Sequence, residues 1–183
     1  DFLTNKNIIK IVSSDLDRAF DTATVIGQRL NLPVEKDERL RETHLGLWQS
    51  RSHDEVDQLY PGMRALWRHD ATWAPPGGES RVEVARPVVT ELMQSLADWD
   101  SATVLLVAHG GIISALTSNL LELQVRQYPL FSGLGNACGS QLTARPRWSA
   151  AEDQEQSTPP EFSPATVADA QWYLDGWNIG VSA

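Results

Sequence analysis

The chain has 183 residues, 42% of them hydrophobic and 21% charged, which suits one domain with a sizeable core. A formal net charge of −9 argues against nucleic acid or an anionic membrane surface as partner, and no apolar run is long enough to span a bilayer. Cys138 is the single cysteine, which excludes an internal disulfide and a Cys-rich metal site and fits a reducing, cytoplasmic setting.

In chain order, Ile8–Val12 is apolar and β-branched and predicts a buried strand. After Ser13 and Ser14, the residues Leu16, Ala19, Phe20, Ala23, Ile26 and Leu30 recur at helical spacing, so a helix follows and stops before Pro33. Ser14 and Asp17, three positions apart, resemble a capping box for it. The segment Arg41–Gly78 is less regular, with helical patches near Ser52–Tyr60 and Met63–Trp67. It closes on Pro75-Pro76-Gly77-Gly78, and such an excursion between α/β elements is expected to act as a lid or a substrate-facing insertion. A helix is expected over Arg81–Leu96, with Pro87 marking a kink or a small omission.

Thr103–Ala108 predicts the clearest buried strand, and His109-Gly110-Gly111 follows it directly. A helix is expected from about Ile112 to Leu123, with Ile113, Leu116, Leu120 and Leu123 on one stripe. Two more strands, about Gln141–Trp148 and Gln171–Trp177, flank a tract rich in Ser, Pro, Glu and Gln. Residues 150–168 of that tract are expected to form a flexible, solvated loop. Strands alternating with helices predict an α/β three-layer sandwich around a mostly parallel sheet, one domain over residues 1–183. The tryptophans read as core or edge packing more readily than as ligand platforms.

Three side chains invite chemistry. His109 sits where a buried parallel strand ends and a helix begins, the place where open α/β sheets form their ligand crevices. Gly110 and Gly111 leave room for close approach and free the first helical N–H groups to face an anion; the same histidine reads equally as a capping or packing residue. Arg18 lies in the first turn of its helix, where a cation opposes the dipole, so local stability does not explain it. It suits bidentate phosphate binding, or else a surface pair with Asp15 or Asp21. Glu42 lies between basic residues on a loop, and reads as a general acid or as an exposed loop carboxylate. The spacings of His44, His53, His69 and His109 match no compact ligand motif, so no metal is expected.

Taken together, Ser13–Ala23 (SSDLDRAFDTA), Arg39–Gln49 (RLRETHLGLWQ), Gly77–Ser80 (GGES) and Val107–Gly111 (VAHGG) resemble, in order and separation, the histidine phosphatase superfamily of phosphoglycerate-mutase-like enzymes. The resemblance implies a phosphomonoester hydrolase working through a phosphohistidine, with no cofactor, a small phosphorylated substrate and a homodimer. By it, Arg18 is a phosphate-pocket arginine, Glu42 the proton donor to the leaving alkoxide, and His109 the second pocket histidine. His44, Ser80 and Gly110 are placed with the substrate-binding groups. Within the family the lid segment looks more like phosphatases than mutases, and RETHLG, HDATWAPPGGESRV and the Gly135-Asn136 turn resemble the branch acting on glucosyl-3-phosphoglycerate.

One departure matters. The family's nucleophilic histidine lies in an Arg-His-Gly motif at the end of a first strand, beside the strand that ends at His109, and this sequence contains no Arg-His-Gly. Asp1–Asn7 resembles the end of the family's first helix. The expectation is therefore a domain given without its first strand, with a divided core, and inactive if the protein truly lacks that segment. A noncatalytic binder of a phosphorylated ligand is the alternative.

Overall fold

In the computed structural model, which describes residues 3–86, 88, 103–147 and 169–180, three parallel strands set the position of the candidate residues. Strand β1 (Ile8–Ser13) lies between β2 (Val34–Lys36) and β3 (Thr103–Val107), with Ile11 opposite Val34 on one side and Leu105 on the other. Strand β2 is too short and polar to announce itself by pattern. Residues 3–6, expected to end a helix, form a single turn closed by Lys6 N–H donating to Leu3 O at 3.2 Å.

Helix α1 (Asp17–Leu30) presents Ala19, Ala23 and Gly27 to the sheet at a spacing of four. It ends as Pro33 demands, through Asn31 in the left-handed conformation with its N–H returned to Gly27 O. Short helices α2 (His53–Leu59) and α3 (Met63–His69) form the insertion, and a further helix, α4, opens over residues 81–86. Helix α5 (Gly110–Leu120) starts immediately behind β3. Its buried face is Ile112, Ala115, Leu116 and Leu120, one position off the expected stripe at Ile113.

Adjacent residues of β1 point to opposite faces. Ile11 faces α1, 3.9 Å from a Cβ built on Gly27, whereas Val12 belongs to a cluster with Val84, Ala85, Ile112, Leu116 and Trp172. Helices therefore cover both faces of the parallel sheet, in three layers. The last strands, β4 (Gly139–Arg145) and β5 (Gln171–Ile179), pair with each other antiparallel, Leu142 opposite Leu174. Among the described residues β3 pairs only with β1, so its far edge, where the family's first strand is expected, carries no strand. The sheet is divided there, but the buried core is not. One cluster runs from Val12 to Trp172, with Leu106, Ala108, Leu142 and Ala144 packed against it.

Four aromatic rings form a smaller core for the insertion: Trp48, only 4% exposed, meets Tyr60, Trp67 and Trp73 at centroid distances of 6.1, 6.4 and 5.5 Å. Arg81 donates to the carbonyls of Trp67 and Arg68 at the C-terminal end of α3, a favourable place for a cation. Apart from Val88, which is helical and packs in the core, the remainder of the expected Arg81–Leu96 helix, including Pro87, and the 150–168 tract lie outside the described residues. None of the helices described is long and apolar enough to cross a membrane.

Candidate active site

The parallel pairing of β1 and β3 brings the starts of α1 and α5 side by side, with Ser14 N–H donating to Val107 O at 2.8 Å. His109 is the residue before the first turn of α5, in extended conformation and 8% exposed. Its side chain does not cap the helix. Instead Nε2 lies 3.0 Å from Oγ of Ser14, which also accepts the Leu16 N–H at 3.3 Å. The expected Ser14–Asp17 capping box is therefore absent: Leu16 is the N-cap residue, no side chain caps α1, and the Ser14 hydroxyl is engaged with His109.

Glu42 arrives from the loop after β2, anchored by Leu40 in the core. Its Oε1 accepts the Thr43 N–H at 2.9 Å and its Oε2 accepts the Gly111 N–H at 3.2 Å. The carboxyl group thus sits at the N-terminus of α5, taking up one of the N–H groups that has no partner within the helix. Gly111 is required for this approach, because a Cβ there would overlap Glu42 Oε1. Gly110 has open space around its own Cβ position.

Arg41, not Arg18, takes Asp15. Its Nε donates to Oδ1 at 2.7 Å, with a second contact from Nη2 to Oδ2, and this guanidinium holds the Asp15 carboxyl below its usual range. Among the described residues Arg18 has no acidic partner; it is exposed and near enough to act on His109 by its charge. The surface pair with Asp15 is thereby excluded.

His44 and Ser80 lie in two loops that interlock. Gly46, at φ +53, passes so close to Pro76 that a Cβ would overlap its carbonyl oxygen. Leu47 N–H donates to Pro76 O at 3.0 Å, Glu79 N–H to His44 O at 2.8 Å, and His44 N–H to Glu79 Oε2 at 2.8 Å. The His44 ring is exposed, its Nδ1 accepting the Gly46 N–H at 3.2 Å. Ser80 is 2% exposed and caps α4 in a reciprocal box with Glu83. Ser80 thus supports the loop beside Glu42 with a hydroxyl already in use. Among the described residues no group of three or more His, Cys, Asp or Glu is gathered to hold a metal.

Burial, then the charge of Arg18, hold the His109 imidazole below its ordinary value of 6.5, against the weaker pull of Glu42. The folded ring is therefore neutral at pH 7. As pH falls through 6.5 the unfolded chain takes up this proton before the folded one does, so His109 lowers stability on acidification and adds no pH dependence well above that point. Between about pH 7.5 and about pH 5.5, the urea midpoint is expected to fall further for the native protein than for His109→Asn. Parallel declines would show that the fold does not hold the ring neutral.

Sequence reasoning missed Ser14 as the partner of His109 and Gly111 as a donor to Glu42. Two serines closing an apolar strand were the available signal for the first; the second joins residues too far apart in sequence for spacing to reveal.

The family model described as the histidine phosphatase superfamily (branch 1) matches residues 1–153. A glucosyl-3-phosphoglycerate phosphatase of Mycolicibacterium vanbaalenii is 48% identical over 96% of this chain and 76% of its own length. One of Mycobacterium tuberculosis is 46% identical over the same shares. Among solved structures, a mycobacterial glucosyl-3-phosphoglycerate phosphatase in complex with inorganic phosphate is 45% identical and superposes with a TM-score of 0.79, covering 98% of this chain and 82% of that one. With the N-termini of α1 and α5 converging on Arg18, Glu42 and His109, the chain belongs to the histidine phosphatase superfamily.

Proposed function

We propose that this chain is a phosphatase that hydrolyses glucosyl-3-phosphoglycerate through a phosphohistidine intermediate. The observation that carries the reading is the Glu42 carboxyl group seated on the Gly111 N–H, at a helix start that His109 and Arg18 also border. An arginine, a histidine donor and free helical N–H groups suit the equatorial oxygens of a transferring phosphoryl group. The nucleophilic histidine belongs, by family resemblance, to an Arg-His-Gly motif that these 183 residues do not contain, and the proposed reaction is that of the chain together with that motif.

In the first step the nucleophile's nitrogen bonds to phosphorus, the ester P–O bond breaks, and Glu42 gives its proton to the departing alkoxide. In the second, water attacks the phosphohistidine, Glu42 takes up the water's proton, and phosphate leaves. Arg18, His109 and Gly110 hold the phosphoryl group; His44, with its ring exposed, faces the rest of the substrate, and Ser80 supports that loop. The α2–α3 insertion shapes the pocket for a sugar and a glycerate carboxylate. The family resemblance also points to a homodimer, which light scattering at twice the chain mass would support, and the single cysteine favours the cytoplasm.

The test is phosphate release by the natural protein, its intact mass measured alongside, with glucosyl-3-phosphoglycerate and 3-phosphoglycerate as substrates. Rapid release from the first supports the reading. Phosphate transfer between positions of phosphoglycerate without release would favour a mutase, and binding without turnover a noncatalytic member. Gly111→Ala is a sharper probe. The new methyl displaces the flexible end of Glu42 rather than backbone, so the fold is expected to survive while the leaving-group proton is lost. Turnover is expected to drop on the order of 10²-fold with an unchanged melting temperature. Full activity would place the acid elsewhere.

A further inference from the structure

Ser14 is fully buried at the point where the starts of α1 and α5 meet, and each of its polar atoms has a definite use. Its N–H goes to Val107 O, and its Oγ accepts the Leu16 N–H at 3.3 Å and lies 3.0 Å from Nε2 of His109. Among the described residues nothing else is within reach to accept the hydroxyl proton. Two arrangements satisfy the distance. If Nε2 carried the ring proton, Ser14 Oγ would accept twice and its own buried proton would be left without an acceptor among the described residues, a costly outcome. If Nε2 keeps its lone pair, Ser14 donates to it, and the serine and the ring nitrogen are both satisfied.

We propose that Ser14 is a positioning residue that fixes His109 as the Nδ1–H tautomer, its hydroxyl donating to Nε2 so that Nδ1–H is the one ring donor left for a ligand oxygen. The nitrogen that carries the proton is set by the hydrogen bond the other one makes. A neutral histidine side chain in water favours the Nε2–H tautomer, so the fold inverts the default. The arrangement also gives a neutral ring a fixed donor, which agrees with the burial that disfavours the imidazolium. Through the Leu16 N–H the same hydroxyl is tied to the start of α1, the helix that carries Arg18, so one side chain joins the two helix starts. That the ligand oxygen is a phosphoryl oxygen rests on the phosphatase reading; the tautomer does not.

The natural protein, labelled with 15N and free of ligand, is examined by long-range 1H–15N correlation at neutral pH, with His109 assigned by its loss in His109→Asn. The expected pattern is a protonated Nδ1 and an unprotonated Nε2. In Ser14→Ala the ring is expected to move toward Nε2–H, with phosphate release falling by up to about 10²-fold. A native ring protonated at Nε2, or a tautomer that Ser14→Ala leaves unchanged, overturns the proposal. The native spectrum decides even if Ser14→Ala fails to fold. Absence of turnover in a native protein that shows the Nδ1–H ring would instead count against the phosphatase reading alone.

Discussion

In the complete protein, Glu42→Gln is expected to slow phosphate release from glucosyl-3-phosphoglycerate by about 10²- to 10⁴-fold, the range spanned by a positioned general acid. Release from p-nitrophenyl phosphate should fall far less. A sugar-linked glycerate leaves as a poor alkoxide and needs a proton as the P–O bond breaks, whereas p-nitrophenolate leaves without one. Glutamine has nearly the same shape, and its single oxygen can still accept one of the two N–H groups, Thr43 or Gly111, that hold the carboxylate. It has no proton to give. Equal slowing of both substrates would mean that Glu42 only holds its loop against α5.

The parts of this fold legible in the sequence are those that local pattern controls. Ile8–Val12 and Thr103–Val107 read as apolar runs and form parallel strands, although β3, expected to be buried, is only half-buried because among the described residues it has a neighbour on one side alone; α1 shows its sheet-facing positions by their spacing. The site is legible in its pieces but not in its contacts. Ser14 fits a capping box by spacing, yet β3 brings His109 to it and the longer-range partner wins. RETHLG and GGES each look like independent loops, but Gly46 lies against Pro76 and Glu79 binds the His44 backbone, so the two motifs form one structure. Ser80 is the converse. Its buried hydroxyl closes a capping box three residues on, a use that the pattern S-x-x-E does announce.

Arg18→Ala is expected to move activity and stability in opposite directions. The side chain is exposed, has no acidic partner among the described residues, and stands in the first turn of α1, where a positive charge opposes the helix dipole. Alanine relieves that opposition and is the best helix former, so the melting temperature should hold or rise slightly. If Arg18 binds the phosphoryl group as proposed, the same substitution removes that bidentate donor, and a loss of about 10²- to 10³-fold in kcat is the expectation. Arg18→Lys separates charge from geometry. It keeps the cation but cannot make two parallel N–H bonds to one phosphate, so its activity should lie between the other two with the melting temperature of the native protein. An Arg18→Ala protein that is active and no more stable would return Arg18 to the solvated surface, leaving His109 and the α5 N–H groups to bind the phosphoryl group alone. A protein that is inactive and less stable would mean that the guanidinium holds the two helix starts together. Only loss of activity without loss of stability fits a residue retained for its ligand.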